Sequence, residues 1–214
     1  MATTYTTAHL PFRKIRSEAM ANIFMDLKIP TKKSLQEAIS CSIECLARND
    51  GILFSAPIEE NPPYGYDARK LHEVCINHKL AEYFAGVIIP LFDKAQKMFV
   101  DIEFNREGIN FKEVTIDGEK RRVRPDIIVH NRKSGKAKFN FLVVECKKSD
   151  AYPQDIEEDC EKIAALMTNS RYDYNFGLQI LYDALAIKGT LFYKQDGAIK
   201  MEPIEHNFAQ MKSQ

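Results

Sequence analysis

The sequence has no net charge: across 214 residues, 30 Lys and Arg offset 30 Asp and Glu. Without a basic surplus it lacks the overall footprint that phosphate binding usually leaves, so any nucleic-acid role must come from local charge. No apolar run approaches the roughly 20 residues of a membrane span; the longest candidate is the mixed stretch 85–92. The opening residues, MATTYTTAHLPFRKIRSEAM, hold no apolar signal core, so the expected location is the cytoplasm, with no membrane partner. The five cysteines (Cys41, Cys45, Cys75, Cys146 and Cys160) are odd in number and lack paired spacing. Reduced core thiols are expected rather than disulfides or a zinc site. A Gly-rich phosphate loop, a nucleophile elbow and a paired-His metal motif are all missing, which leaves those chemistries unsupported.

What is present is an ordinary globular composition, 45% hydrophobic and 28% charged, long enough for one full core and an appended subdomain. The most informative stretch is 125–147, within RPDIIVHNRKSGKAKFNFLVVECKK. Asp126 opens one short Ile/Val-rich run; Glu145 and Lys147 close the next, which is built on Phe141-Leu142-Val143-Val144. The polar segment 131–136, NRKSGK, separates them, and the pair reads as a β-hairpin. Side chains alternate along a strand, so Glu145 and Lys147 share a face and Cys146 points away. An acid at the start of one strand then stands beside a Glu and a Lys at the end of its neighbour. Two carboxylates and an ammonium at one point suit a hard divalent cation on a phosphate, with the lysine orienting or activating water.

Pro125-Asp126, the hairpin, and Glu145-Cys146-Lys147 on a hydrophobic strand together resemble the PD-(D/E)XK nuclease superfamily. The triplet alone carries nothing, since charged residues flank most exposed strands; its weight comes from the strand it ends and its hairpin distance from Pro125-Asp126. The resemblance implies an α/β fold of the restriction-endonuclease-like kind, a mixed central β-sheet flanked by helices. It implies Asp126 and Glu145 as metal ligands, the Cys146 carbonyl as a further ligand and Lys147 as the catalytic lysine. Mg²⁺ is the implied cofactor, with Mn²⁺ as its substitute. The expected activity is metal-dependent hydrolysis of phosphodiester bonds, with DNA as the expected partner. The alternative is a non-cleaving nucleic-acid-binding or assembly module on the same fold. Cutting both strands with one site per chain requires two chains, so a homodimer is a hypothesis.

The restriction-like fold also opens with a helix carrying an active-site Glu. The helical pattern after Asp67 offers Glu73 and Glu82, nine positions apart and therefore on opposite sides. Glu73 is preferred and Glu82 held in reserve. Between residues 119 and 148, ten Lys or Arg stand against three acids, a local excess of seven around the site. Arg122, Arg124 and Lys148 are the candidate phosphate contacts, which position a substrate without reading its sequence. The compensating acids Asp155, Glu157, Glu158 and Asp159 are read as lying elsewhere. His72, His78 and His130 are read as packed side chains; His130 is ~13 Å along the strand from Asp126, too far to share a metal.

The remaining elements follow in order. Helices are expected over 14–27 and again from Thr31 or Ser34, the latter fitting a Ser34-x-x-Glu37 capping box and burying Leu35, Ala38, Ile39, Ser42 and Leu46. Residues 52–66 read as a loop, and Pro90 ends the helix after it. Residues 98–104 alternate, with Asp101, Glu103 and Asn105 on the polar side. Residues 111–116 and 120–124 flank Asp117-Gly118, a strong hairpin signal, so three strands are expected to converge before the E-x-K strand. A helix follows with a core stripe of Ile156, Cys160, Ile163, Ala164 and Met167, then a buried strand over 174–181, implying a parallel crossover. Residues 188–194 and 198–202 close as an edge hairpin. The expected division is a helical extension with its loop over 1–66, the core over 67–203 and a loose tail over 204–214.

Overall fold

The computed structural model describes residues 29–51, 53, 73–107, 110–132, 139–183 and 186–207. The expected helix 14–27, the Asp67 cap, His72, the turn residues 133–138 and most of the loop 52–66 lie outside them. Among the described residues, two α-helices come first, α1 (Lys32–Asp50) and α2 (Glu73–Val87). Strand β1 (Phe99–Ile102) is followed by four short strands: β2 (Arg106–Glu107), β3 (Asn110–Phe111), β4 (Glu113–Ile116) and β5 (Glu119–Arg122). Then come β6 (Ile127–His130), β7 (Asn140–Lys148), α3 (Pro153–Thr168), β8 (Phe176–Tyr182), β9 (Ala186–Gln195) and β10 (Ala198–Asn207).

Six of the strands form one mixed sheet in the order β1-β6-β7-β8-β9-β10. The first three run as an antiparallel meander, β7 and β8 are parallel, and β8, β9 and β10 are antiparallel. A parallel pair needs a long crossover, and α3 supplies it. The expected convergence of three strands before β7 is corrected. The pairs β2–β3 and β4–β5 are separate two-stranded sheets, an excursion between β1 and β6. The reason is burial: β5 reads EKRR and is exposed at every position, so it has no apolar face to offer a sheet. The turn itself is as expected, with Asp117 at φ 53° and Gly118 at φ 81°, as a two-residue hairpin loop requires.

Both faces of the sheet are covered. On one, Ile127, Val129, Leu142, Val144, Cys146 and Ile180 pack with α2 (Ile76, Leu80, Phe84) and with α1 (Leu35, Ile39, Ile43, Leu46). On the other, Ile128 and Val143 pack with Ile163, Leu166 and Met167 of α3. The result is helices on both sides of a sheet. Helix α1 is capped by Thr31, one of the two expected caps, whose hydroxyl accepts the Ser34 N–H at 3.2 Å. It buries the predicted residues together with Ile43 and so covers the core. Lys32 and Gln36 of α1 bond Glu202 of β10 at 2.7 and 3.0 Å. Residues 204–207 belong to β10 rather than to a loose tail. Among the described residues, no helix is long and apolar enough to cross a membrane.

The α3 stripe also differs from expectation. The buried positions are Asp159, Ile163, Leu166 and Met167, while Ile156, Cys160 and Ala164 are half-buried. The helix is rotated so that an acid lies on its buried face.

Candidate functional site

Strands β6 and β7 pair with Ile127 opposite Val144, and continuing that register sets Asp126 beside Glu145. Asp126 is held from two sides: its Oδ2 accepts the Cys146 N–H at 2.8 Å, and its carbonyl accepts the Glu103 N–H at 2.8 Å. Alternation along β7 sends Val143, Glu145 and Lys147 toward α3 and Cys146 toward α2, as the two apolar clusters confirm. Glu145 is only 1% exposed.

Helix α3 meets this face with charge. Lys162 Nζ lies 2.8 Å from Glu145 Oε2 and 2.9 Å from Asp159 Oδ1. Lys147 Nζ is 3.5 Å from Asp159 Oδ2, an ion pair too loose to count as a hydrogen bond. Among the described residues, Glu145 Oε1 and Asp159 Oδ2 are buried without a hydrogen-bond partner. Gln179, opposite Glu145 on β8, is buried and donates to the Ile156 carbonyl at 2.9 Å, fixing the start of α3 against the sheet.

Burial governs the protonation of the acids. It pushes Asp126 up against the Cys146 N–H and the two lysines, and it pushes Glu145 well above the usual carboxylate range, with Asp126 and Asp159 adding to the effect. Burial pulls Lys162 and Lys147 down, yet the acids outweigh it and hold both above the ordinary lysine range. Both ammoniums therefore stay charged, while burial opposes ionisation of Asp126 and of Glu145.

Helix α2 approaches the same strand from the opposite face. Glu73 Oε2 accepts the Lys148 N–H at 2.8 Å, and one turn later Asn77 Oδ1 accepts the buried Tyr182 hydroxyl at 3.0 Å. Glu73 thus reaches the end of β7. Glu82 does not: it is exposed and pairs with Lys79 at 3.0 Å and His78 at 3.3 Å. His78 is exposed rather than packed. His130 is packed, 6% exposed and 2.8 Å from Asp101. Arg122 and Arg124 are exposed, each facing an acid, Glu113 at 3.6 Å and Glu103 at 3.4 Å. Lys148 is half-buried at the end of β7.

Asp159, Lys162 and Gln179 escape the sequence reading, which sets Asp159 among the outlying acids. A signal was present: Asp159, Lys162, Ile163 and Leu166 follow helical spacing, so a stripe drawn through Ile163 and Leu166 carries both charged residues onto the buried face.

The site's fit to a divalent cation rests on its donors. All are hard carboxylate oxygens, and buried Glu145 Oε1 has no hydrogen-bond partner among the described residues. Among the described residues, no group of three or more His, Cys, Asp or Glu side chains is arranged to hold a metal ion. Mg²⁺ does not require one, because it commonly binds through one or two carboxylates with water and substrate phosphate completing its shell. Asp126 and Glu145 fit that pattern. No protein-family model, curated protein or solved structure matches the chain.

Proposed function

We propose that the chain is a Mg²⁺-dependent nuclease that hydrolyses phosphodiester bonds in DNA, on a restriction-endonuclease-like fold. One observation carries the reading: the Asp126–Cys146 hydrogen bond sets the Asp126 carboxylate at Glu145, whose buried Oε1 has no protein partner among the described residues. Asp126 and Glu145 hold the cation, with the Cys146 carbonyl as the further ligand that the resemblance implies. A divalent ion there supplies Lewis acidity, polarising a phosphoryl oxygen and lowering the pKa of bound water.

The remaining work falls to the chain's own side chains. Lys147 shares a face with Glu145, and its raised pKa favours the charged form. Its role is to orient or activate water and to offset charge developing on the phosphate. Glu73 fixes the end of β7 through the Lys148 N–H. Arg122 and Arg124 contact flanking phosphates and position the substrate.

A second reading, a non-cleaving binding or assembly module, is favoured by the Lys162 bridge, whose ammonium already pairs Glu145 with Asp159. Plasmid, linear duplex and single-stranded DNA incubated with Mg²⁺, Mn²⁺ or EDTA separate the two. Under the nuclease reading, wild type cuts only with metal, and Asp126→Ala and Lys147→Ala each lose about 10²-fold or more. Metal binding without cleavage of any substrate supports the module instead. Activity unchanged in both variants removes the proposed site. Gel filtration with and without DNA tests the dimer.

A further inference from the structure

The two lysines at this site come from different elements, and only Lys147 belongs to the strand motif. Lys162 comes from α3 and sits at the point shared by two buried carboxylates, 2.8 Å from Glu145 Oε2 and 2.9 Å from Asp159 Oδ1. We propose that the Lys162 ammonium holds the position between Glu145 and Asp159 that a divalent ion takes, and that Asp159 joins Asp126 and Glu145 around the ion only once the ammonium leaves, since among the described residues no three acids are set to hold a metal while it is there. This inference rests on the reading that a divalent cation binds at Glu145.

Three observations support the exchange. The first is depth. Glu145 is 1% and Asp159 4% exposed, and acids placed so far from water ionise only beside a cation. The second is incomplete satisfaction. The tethered ammonium bonds one oxygen of each acid, and among the described residues Glu145 Oε1 and Asp159 Oδ2 remain without hydrogen-bond partners. Buried polar atoms left without hydrogen bonds are rare, and Asp159 Oδ2 has only the loose ion pair with Lys147 at 3.5 Å. The third is charge: three acids, Asp126, Glu145 and Asp159, surround the two lysines, and a divalent ion brings more positive charge to them than one ammonium does.

The fold gives the lysine somewhere to go. Asp159 and Lys162 are three apart on one face of α3, so the carboxylate stays at the site while the lysine swings on its own stem. The Lys162 side chain keeps 22% of its surface open, so the route out leads to solvent. Flexible four-carbon stems readily carry an ammonium between a buried partner and water.

The test is Mn²⁺ binding to the full chain, read from the electron paramagnetic resonance of free Mn²⁺, alongside thermal unfolding in EDTA and in Mn²⁺. Wild type, Lys162→Gln and Asp159→Asn are compared. Removing the competing ammonium should tighten Mn²⁺ binding by about tenfold or more, and removing the Asp159 charge should weaken it by about tenfold. Lys162→Gln should also melt earlier than wild type in EDTA and gain more from Mn²⁺. Equal or weaker Mn²⁺ binding by Lys162→Gln, or unchanged binding by Asp159→Asn, overturns the proposal. If Lys162→Gln does not fold under either condition, Asp159→Asn decides alone. A wild type that cuts DNA while Lys162→Gln binds Mn²⁺ no more tightly defeats only this inference. A wild type that follows the expected binding pattern but cuts nothing defeats only the nuclease reading. Absence of Mn²⁺ binding in all three defeats both.

Discussion

Asp126 Oδ2 and the backbone N–H of Cys146 are 2.8 Å apart, and this contact lets a side chain do the work of a strand. Strand β6 begins only at Ile127, whereas β7 continues to Lys148, so Cys146 lies beyond the last β6 residue paired with it. The Asp126 carboxylate supplies the acceptor that a longer β6 would have provided. The same carboxylate is a proposed metal ligand, so structure and chemistry meet in one group.

That dual role can be split. Asp126→Asn keeps an acceptor for the Cys146 N–H, whereas Asp126→Ala leaves a part-buried donor without one. The alanine variant should lose about 1–3 kcal/mol in urea unfolding, and the asparagine variant clearly less. Both should lose metal-dependent cleavage. Equal stability losses in the two variants would show that the hydrogen bond is not what holds Asp126 in place.

A pH effect is expected away from the site, at His130. Burial holds its imidazole below the ordinary range, against the opposing pull of Asp101 at 2.8 Å. A base with a lower pKa in the folded chain binds fewer protons folded than unfolded, so its contribution is lost as pH falls below the unfolded value of about 6.5. Asp101 acts in the same direction at lower pH. Burial pushes it up, but the hydrogen bonds from Arg132 and His130 outweigh this and hold it below the usual carboxylate value. Melting temperatures between pH 7 and 5 should therefore fall in wild type and fall less in His130→Gln. Parallel curves would remove His130 as the source.

The paired arginines make a separate prediction. Arg122 faces Glu113 and stacks 4.7 Å from the Phe111 ring centroid, and Arg124 faces Glu103 at 3.4 Å. These are exposed contacts, so alanine at either position should shift stability by no more than about 0.5 kcal/mol. If both arginines contact phosphates, each loss should weaken DNA binding evenly across sequences and lower the salt slope by about 1. Fluorescence anisotropy in an Asp126→Asn background measures this without cleavage. An unchanged slope assigns the arginines to their acids alone.

The parts of the molecule legible in the sequence are those set by local pattern. The β6–β7 hairpin, the α3 crossover to β8 and the Asp117-Gly118 turn follow from alternation, helical spacing and turn chemistry over a few residues. Sheet membership was not legible in the same way. Lys120 to Arg122 alternate with nothing apolar, and whether such a strand joins the main sheet depends on what covers it. The site shows the same limit. Asp126, Glu145 and Lys147 sit in one hairpin, whereas Asp159 and Lys162 reach Glu145 only because of how α3 is rotated, a tertiary choice. That rotation is set by packing against the sheet rather than by any cap, since Tyr152 at the start of α3 makes no side-chain capping bond.

Gly177 lies beneath that packing. It lies opposite Val143 in β8, and a Cβ there would overlap Ile163 Cγ2 of α3 and sit 2.9 Å from Met167 Sδ and 3.3 Å from Phe192 Cβ. The backbone is not the difficulty, because Gly177 is not among the residues with positive φ. The difficulty is space, since α3 lies so close that one methyl must move it. Gly177→Ala should cost about 1–3 kcal/mol in urea unfolding. Ile163→Ala should also destabilise, by opening a cavity, but the double variant should be more stable than the two single losses predict by about 1 kcal/mol, because each change relieves the other. Since Lys162 is the neighbour of Ile163, displacement of α3 in Gly177→Ala should also disturb the ammonium's hold on Glu145 and Asp159. Strict additivity in the double variant would mean that α3 already yields at this point, and that its rotation is fixed elsewhere along the sheet.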